Sequence, residues 1–222
     1  TLRALAKVVQ GFLRAEPKGA NDTRAITALW LHEAQRVFQD RLINDDDAGW
    51  FRAQLDAMLS KHMRTTWDEV LGDTERLVFG DFMVPGADPK IYAQITDMGK
   101  LVSQVEEYLE DCNSVNANAP MKLVMFLDAI EHVARVCRVI RQPLGNALLL
   151  GVGGSGRQSL TRLASFMEEF EVFQIEIVKG YGANEWRDDL RRLLKRAGLA
   201  GKETGFLFTD SQIVRESFLE DI

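Results

Sequence analysis

The sequence predicts an α/β fold, a parallel sheet flanked by helices, preceded by an all-helical segment. Three observations predict it. Apolar residues recur at helical spacing through about the first 70 positions. From Asn146 onward strand-like and helix-like stretches alternate. A glycine-rich loop joins the first strand of that series to its helix, the βαβαβ order that builds a parallel sheet.

In the helical segment, Leu2, Leu5, Val9, Phe12 and Leu13 make the first stripe, broken by Gly11 and followed by a loop through Pro17-Lys18-Gly19. Ile26, Leu29, Trp30, Ala34, Val37, Phe38 and Leu42 repeat the spacing, with Asn21, Asp22 and Thr23 as candidate N-caps. Trp50, Phe51, Leu55, Met58, Leu59 and Met63 form a third stripe, and Asp45, Asp46 and Asp47 at its start suit a helix dipole. The pattern becomes irregular over 77–86, which places the domain boundary there, with a helical lid over 1–75 and an α/β unit over 76–222. Asp88-Pro89 reads as a helix start continued by Ile91, Ile95, Met98, Val102, Val105 and Leu109. Pro120 reads as the start of a helix through Arg141 that Pro143 stops. Leu148-Leu149-Leu150 reads as a central buried strand, 159–170 as a helix, 172–178 as an edge strand, a further helix begins at Asn184, and 206–208 is a strand.

Composition narrows the function classes. The 222 residues are 46% hydrophobic and 27% charged with 17 glycines and 5 prolines, which excludes disorder and collagen. At about 150 residues per domain the length suits one unit plus part of another. Lys and Arg number 27 against 33 Asp and Glu, a net charge of −6 that repels polyanions, so no nucleic acid is expected as partner. Arg187, Arg191, Arg192, Lys195 and Arg196 are interleaved with Asp188 and Asp189 and read as a solvated or module-contacting face. The longest apolar runs, such as 147–152, fall far short of the about 20 residues a membrane span needs, so no membrane partner is expected. The opening TLRALAKVVQGF has neither an initiator Met nor a signal layout, so a start inside a larger protein is expected. Cys112 and Cys137 are too few for a disulfide framework, and His32, His62 and His132 have no ligand spacing.

The chemistry concentrates in Gly151-Val152-Gly153-Gly154-Ser155-Gly156-Arg157-Gln158-Ser159, between a strand and a helix. It approximates the phosphate-binding loop GxxxxGK[ST], whose glycines let backbone N–H groups converge on phosphates at a helix N-terminus. Arg157 replaces the usual Lys, keeping the charge on a larger planar fork. Gln158 occupies the place of the hydroxyl that holds Mg²⁺, while Ser159 lies one residue on, about 100° around the helix. Asp210, at the end of the Phe206–Phe208 strand, is the candidate acidic partner of the metal. Ser211 follows where a Glu would polarise the attacking water, and a neutral hydroxyl is a poor base. ATP or ADP with Mg²⁺ is the implied ligand, and hydrolysis is expected to be slow or absent.

These stretches resemble a known family. GNALLLGVGGSGRQSLTRLASF, FQIEI, NEWRDDLRRLLKRAG and FLFTDSQIVRESFLEDI are similar to the fourth AAA+ module of axonemal dynein heavy chains. LRALAKVVQGFL and ITALWLHEAQRVFQDRLI are similar to the helical lid of the third. The resemblance implies a P-loop NTPase (AAA+) fold and a piece of a ring-shaped microtubule motor of the ciliary or flagellar axoneme, in which this site is regulatory. It implies neighbouring AAA+ modules as partners, with the microtubule and the intermediate and light chains contacted through regions outside these residues. Arg3 matches the lid arginine that reaches nucleotide at the preceding module. The alternatives are a nucleotide-independent scaffold of the ring and a self-contained P-loop ATPase.

Overall fold

The computed structural model describes residues 1–18, 20–74 and 76–222. The loop expected through Gly19 and the boundary drawn at Glu75 each fall on a residue outside that set. Two units emerge, residues 1–107 with 124–145 and residues 108–123 with 146–222. Within the first unit Phe79 shares a core with Ala28, Leu29 and Leu31, and Arg138 bonds Glu33.

In the first unit, α1 (Leu2–Phe12) lies on α2 (Thr23–Val37), whose N-cap Asp22 accepts a hydrogen bond from Ala25 N at 2.7 Å. α3 (Asp45–Met58) starts at Asn44, whose side chain accepts from Asp47 N. The short α4 (Trp67–Leu71) is fixed by a reciprocal capping box between Thr66 and Glu69. Ala28, Leu29, Leu31 and Ala34 of α2 share a core with Leu55, Leu59, Trp67, Val70, Phe79 and Tyr92. The Arg52 guanidinium stacks 3.3 Å over the Trp67 ring.

The stretch read as irregular is a hairpin. β1 (Val78–Gly80) pairs antiparallel with β2 (Ala93–Ile95). That pairing corrects the helix expected from Pro89, since residues 93–95 satisfy their backbone groups across the ladder and α5 (Met98–Val115) begins only behind Asp97, which accepts from Lys100 N at 2.9 Å. The helix expected from Pro120 also starts late, as α6 (Leu127–Ile140). Asn113 explains the delay: its side chain donates to Met121 O at 3.0 Å and accepts from Met121 N at 2.7 Å, holding that backbone extended.

A charged cluster lies inside this unit. Glu33 on α2 is fully buried and accepts hydrogen bonds from Tyr92 Oη at 2.9 Å and from Arg138 Nε on α6 at 3.0 Å. Arg14 donates to the Arg138 carbonyl and to Asp81 while lying 4.2 Å over Tyr92. Gly11 does not break α1; a Cβ there would stand 1.7 Å from Glu33 Oε2, so only glycine allows the close approach. Burial opposes the Arg138 charge, but bonding to Glu33 outweighs it and raises that pKa. Burial, reinforced by Arg36 and Arg138, holds His32 well below its ordinary value, and its Nδ1–H donates to Leu77 O at 3.2 Å.

In the second unit, α7 (Arg157–Met167) packs on β3 (Glu171–Phe173), which runs parallel to β4 (Thr204–Phe206). Between them lies α8 (Ala183–Leu194). Trp186 stacks on Phe218 with ring centres 4.6 Å apart and donates its indole N–H to Asp221 at 2.7 Å. Tyr181 donates to Asp189 at 2.6 Å, and burial together with that bond raises the phenol pKa. The central strand expected at 148–150 is corrected. Residues 148–150 lie outside any strand, and Leu148 and Leu150 are 84% and 83% exposed. An apolar run becomes a buried strand only when strands flank it, and none of the described strands does.

Two outcomes follow for stability. Replacing Glu33 by Gln leaves Arg138 buried without its counter-charge, so urea unfolding should report a loss of about 3–5 kcal/mol. Because the His32 pKa lies lower in the folded chain than unfolded, protons bind preferentially to the unfolded chain below about pH 6.5. Stability should then fall with decreasing pH by up to about 1.4 kcal/mol per unit, and His32→Leu should flatten that slope between pH 6.5 and 5.

Candidate functional site

The glycine loop and the acidic strand end both belong to the second unit. The loop runs from Gly151 into α7, whose first residue is Arg157. Gly154 and Gly156 have φ of +80° and +77°, in the left-handed region that favours glycine. Consecutive residues in such a turn are the kind of backbone that brings N–H groups together ahead of a helix. Ser155 N donates to Val152 O at 3.3 Å and closes the loop. Among the described residues no acceptor takes the N–H of Gly153, Gly154, Gly156, Arg157, Gln158 or Ser159. A Cβ at Gly153 or Gly154 would meet nothing within 4 Å, so the middle of the loop is open, while one at Gly151 would contact Ser155 and Arg157 and one at Gly156 would contact Leu123 and Leu160.

The side chains divide. Arg157 folds back along the loop and donates to Val152 O at 3.2 Å, which ties its guanidinium to the loop. Gln158 is exposed and Ser159 half-buried. Val152 is exposed as well, so its side chain contributes no packing to the cradle. Thr161 bonds the Arg157 carbonyl and steadies the first turn of α7. Ser165, two turns further on, lies 3.5 Å from where a Gly205 Cβ would be, so the helix that carries the loop rests on β4.

β4 leads through Thr209 to Asp210 and Ser211, both exposed. The backbone there turns because Thr209 and Gln212 form a reciprocal cap: Thr209 N donates to Gln212 Oε1 at 2.9 Å and Gln212 N donates to Thr209 O at 2.9 Å. The Thr209 and Ser211 hydroxyls are 3.1 Å apart. Sequence reasoning missed Gln212, although Thr-x-x-Gln is a capping-box pattern. It also missed the Glu33–Arg138 pair, whose partners stand too far apart in sequence for any local pattern to link them. Arg3 stands exposed in the first turn of α1, within the first unit.

The residues present suit a phosphate group: N–H groups without acceptors among the described residues, a helix N-terminus and one guanidinium are all donors. A hard cation prefers oxygen, which Asp210 supplies as a carboxylate and Gln158 as an amide carbonyl. No group of three or more His, Cys, Asp or Glu able to hold a metal alone occurs among the described residues, and no described helix is long and apolar enough to cross a membrane.

Comparison with known proteins gives a consistent picture. Residues 121–222 match the family described as P-loop containing dynein motor region D4, and residues 1–48 match the dynein heavy chain ATPase lid domain. The chain is 50% identical to human dynein axonemal heavy chain 1 over 224 residues, covering all of this chain and 5% of that protein. It is 47% identical to human dynein axonemal heavy chain 6 over 223 residues and 44% identical to mouse dynein axonemal heavy chain 3 over 232, covering 5% and 6% of those proteins. The chain thus spans about a twentieth of the length of these relatives.

The loop geometry gives a direct outcome. Gly156→Ala forces a Cβ into left-handed backbone and should cost about 1–2 kcal/mol in denaturant unfolding. Gly153→Ala, at ordinary φ and in open space, should cost less than about 0.5 kcal/mol.

Proposed function

The chain belongs to the dynein heavy-chain family, and from that premise we propose that its second unit binds ATP or ADP at 151–159 as a subordinate, regulatory nucleotide site of the motor ring. The observation that carries this is the set of loop N–H groups without an acceptor among the described residues at the start of α7, around the left-handed residues Gly154 and Gly156. Such a set accepts negative charge at fixed positions without reorganisation. Arg157 adds a positive charge to the same edge. Asp210 and Gln158 are the residues that would hold Mg²⁺, whose contribution when bound is to neutralise phosphate charge.

Binding and turnover separate at Ser211. A hydroxyl neutral at pH 7 cannot take a proton from water as a carboxylate does, and general-base help is worth about 10²–10⁴ in rate. The site therefore holds nucleotide long enough to act as a state marker, and the ligand biases how this module meets its neighbours. Arg3, on the preceding lid, serves nucleotide bound at the module before it. The whole heavy chain is then a microtubule motor of the cilium or flagellum axoneme, working with intermediate and light chains through its other regions. The scaffold alternative needs the glycines to pack against something, whereas Gly153 and Gly154 face open space. The self-contained ATPase alternative lacks its base.

Calorimetric titration of ATP and ADP with Mg²⁺ tests the reading. Binding of both nucleotides, weakened about ten-fold or more by Arg157→Ala through loss of a charged hydrogen-bond donor, is the expected result. Absence of heat for either nucleotide in folded protein overturns it. In the heavy chain, Ser211→Glu combined with Gln158→Thr should raise hydrolysis at this site, read as single-turnover release of phosphate.

A further inference from the structure

The register of β3 and β4 fixes what should come next in their ladder. Glu171 N donates to Glu203 O at 3.0 Å and Leu207 N donates to Phe173 O at 2.9 Å, so in a parallel pair the following rungs join Ile175 N to Leu207 O and then Thr209 N to Ile175 O. Neither is made among the described residues. Thr209 N donates instead to Gln212 Oε1 at 2.9 Å, and Gln212 Nε2 donates to Ile175 O at 2.6 Å. The primary amide presents one acceptor and one donor in the arrangement a peptide group offers, and it is inserted between the two strand ends. Gln212 is 5% exposed, and Oε1 also accepts from the Thr209 hydroxyl at 3.2 Å.

We propose that Gln212 is a positioning residue for the nucleotide site, its side-chain amide replacing the last rung of the β3–β4 ladder and so parting the strands where Asp210 emerges. In open parallel sheets ligands bind at the carboxyl ends of the strands, where adjacent chains diverge. A directly paired Thr209 would carry the ladder one step further and draw residue 210 toward β3. Backbone pairing ends at Leu207, and the inserted amide leaves Thr209 N and Ile175 O satisfied beyond it, which a bare divergence would not. Because Gln212 N and Thr209 O are also bonded, the turn holding Asp210 is closed on both sides by one residue. Glutamate fits the same space but as a carboxylate cannot donate to Ile175 O, and leucine fills the volume with neither group.

This role rests on the nucleotide reading above, and the experiment separates the two. ADP affinity is measured by calorimetry in Mg²⁺ and in EDTA for the wild-type chain, Gln212→Leu and Gln212→Glu, with near-UV circular dichroism confirming the fold. The ratio of the two affinities reports how well Asp210 is placed, while affinity in EDTA reports the loop alone. The gain from Mg²⁺ should fall about ten-fold in Gln212→Leu, which loses all three hydrogen bonds of the side chain, and by a smaller factor in Gln212→Glu, with EDTA affinity within about two-fold of wild type. A Mg²⁺ gain unchanged in folded Gln212→Leu overturns the proposal. If that variant does not fold, an unchanged gain in Gln212→Glu overturns it equally. Wild-type protein that binds ADP with no gain from Mg²⁺ removes the metal role of Asp210, and the proposal with it, while the phosphate loop stands. Wild-type protein that binds no nucleotide under either condition defeats the functional reading itself.

Discussion

A reversal of the backbone at Gly154 and Gly156 governs what the second unit can do. Both residues sit in the left-handed region, and the N–H groups around them have no acceptor among the described residues just before α7 begins. An ordinary side chain at either position pays a steric penalty, so this geometry is specified by glycine and by nothing weaker. The helix behind the turn adds its dipole, and Arg157 adds charge beside it. Anion binding is the chemistry that such an edge offers.

Side-chain amides do the work of backbone at two places in the same unit. Asn113 holds Met121 by both its N–H and its carbonyl, and Gln212 bridges Thr209 and Ile175. In each case a segment that has left regular structure keeps its backbone satisfied, so the chain can bend without leaving buried groups unpaired. The first unit solves a different problem. It buries a carboxylate and surrounds it with Arg138, Tyr92 and the close backbone of Gly11, an arrangement in which every member depends on the others. Such a cluster specifies how α1, α2, β2 and α6 meet more than it adds net stability.

The sequence made the glycine loop, its following helix, the parallel sense of the last strands and the helical stripes legible, because each is written in spacing over a few residues. It misled where a distant partner decides the outcome. Pro89 and Pro120 both look like helix starts, yet pairing of β2 with β1 claims residues 93–95, and Asn113 holds Met121 extended. Leu148 to Leu150 look like a core strand on composition alone, although burial needs neighbours that no local pattern supplies. Trp50 keeps the helical period of α3 and is still exposed. Of the candidate site, the positions of Arg157 and Asp210 were legible, whereas the amide that orders Asp210 required the register of two strands to be known.

The central claim is that the loop's main-chain N–H groups hold phosphate, and amide NMR observes those groups themselves. On titration with ADP and Mg²⁺, the resonances of Gly153, Gly154, Gly156 and Arg157 should move downfield together along one saturating curve. Saturating nucleotide that leaves these four amides in place, while signals elsewhere shift, would contradict the account.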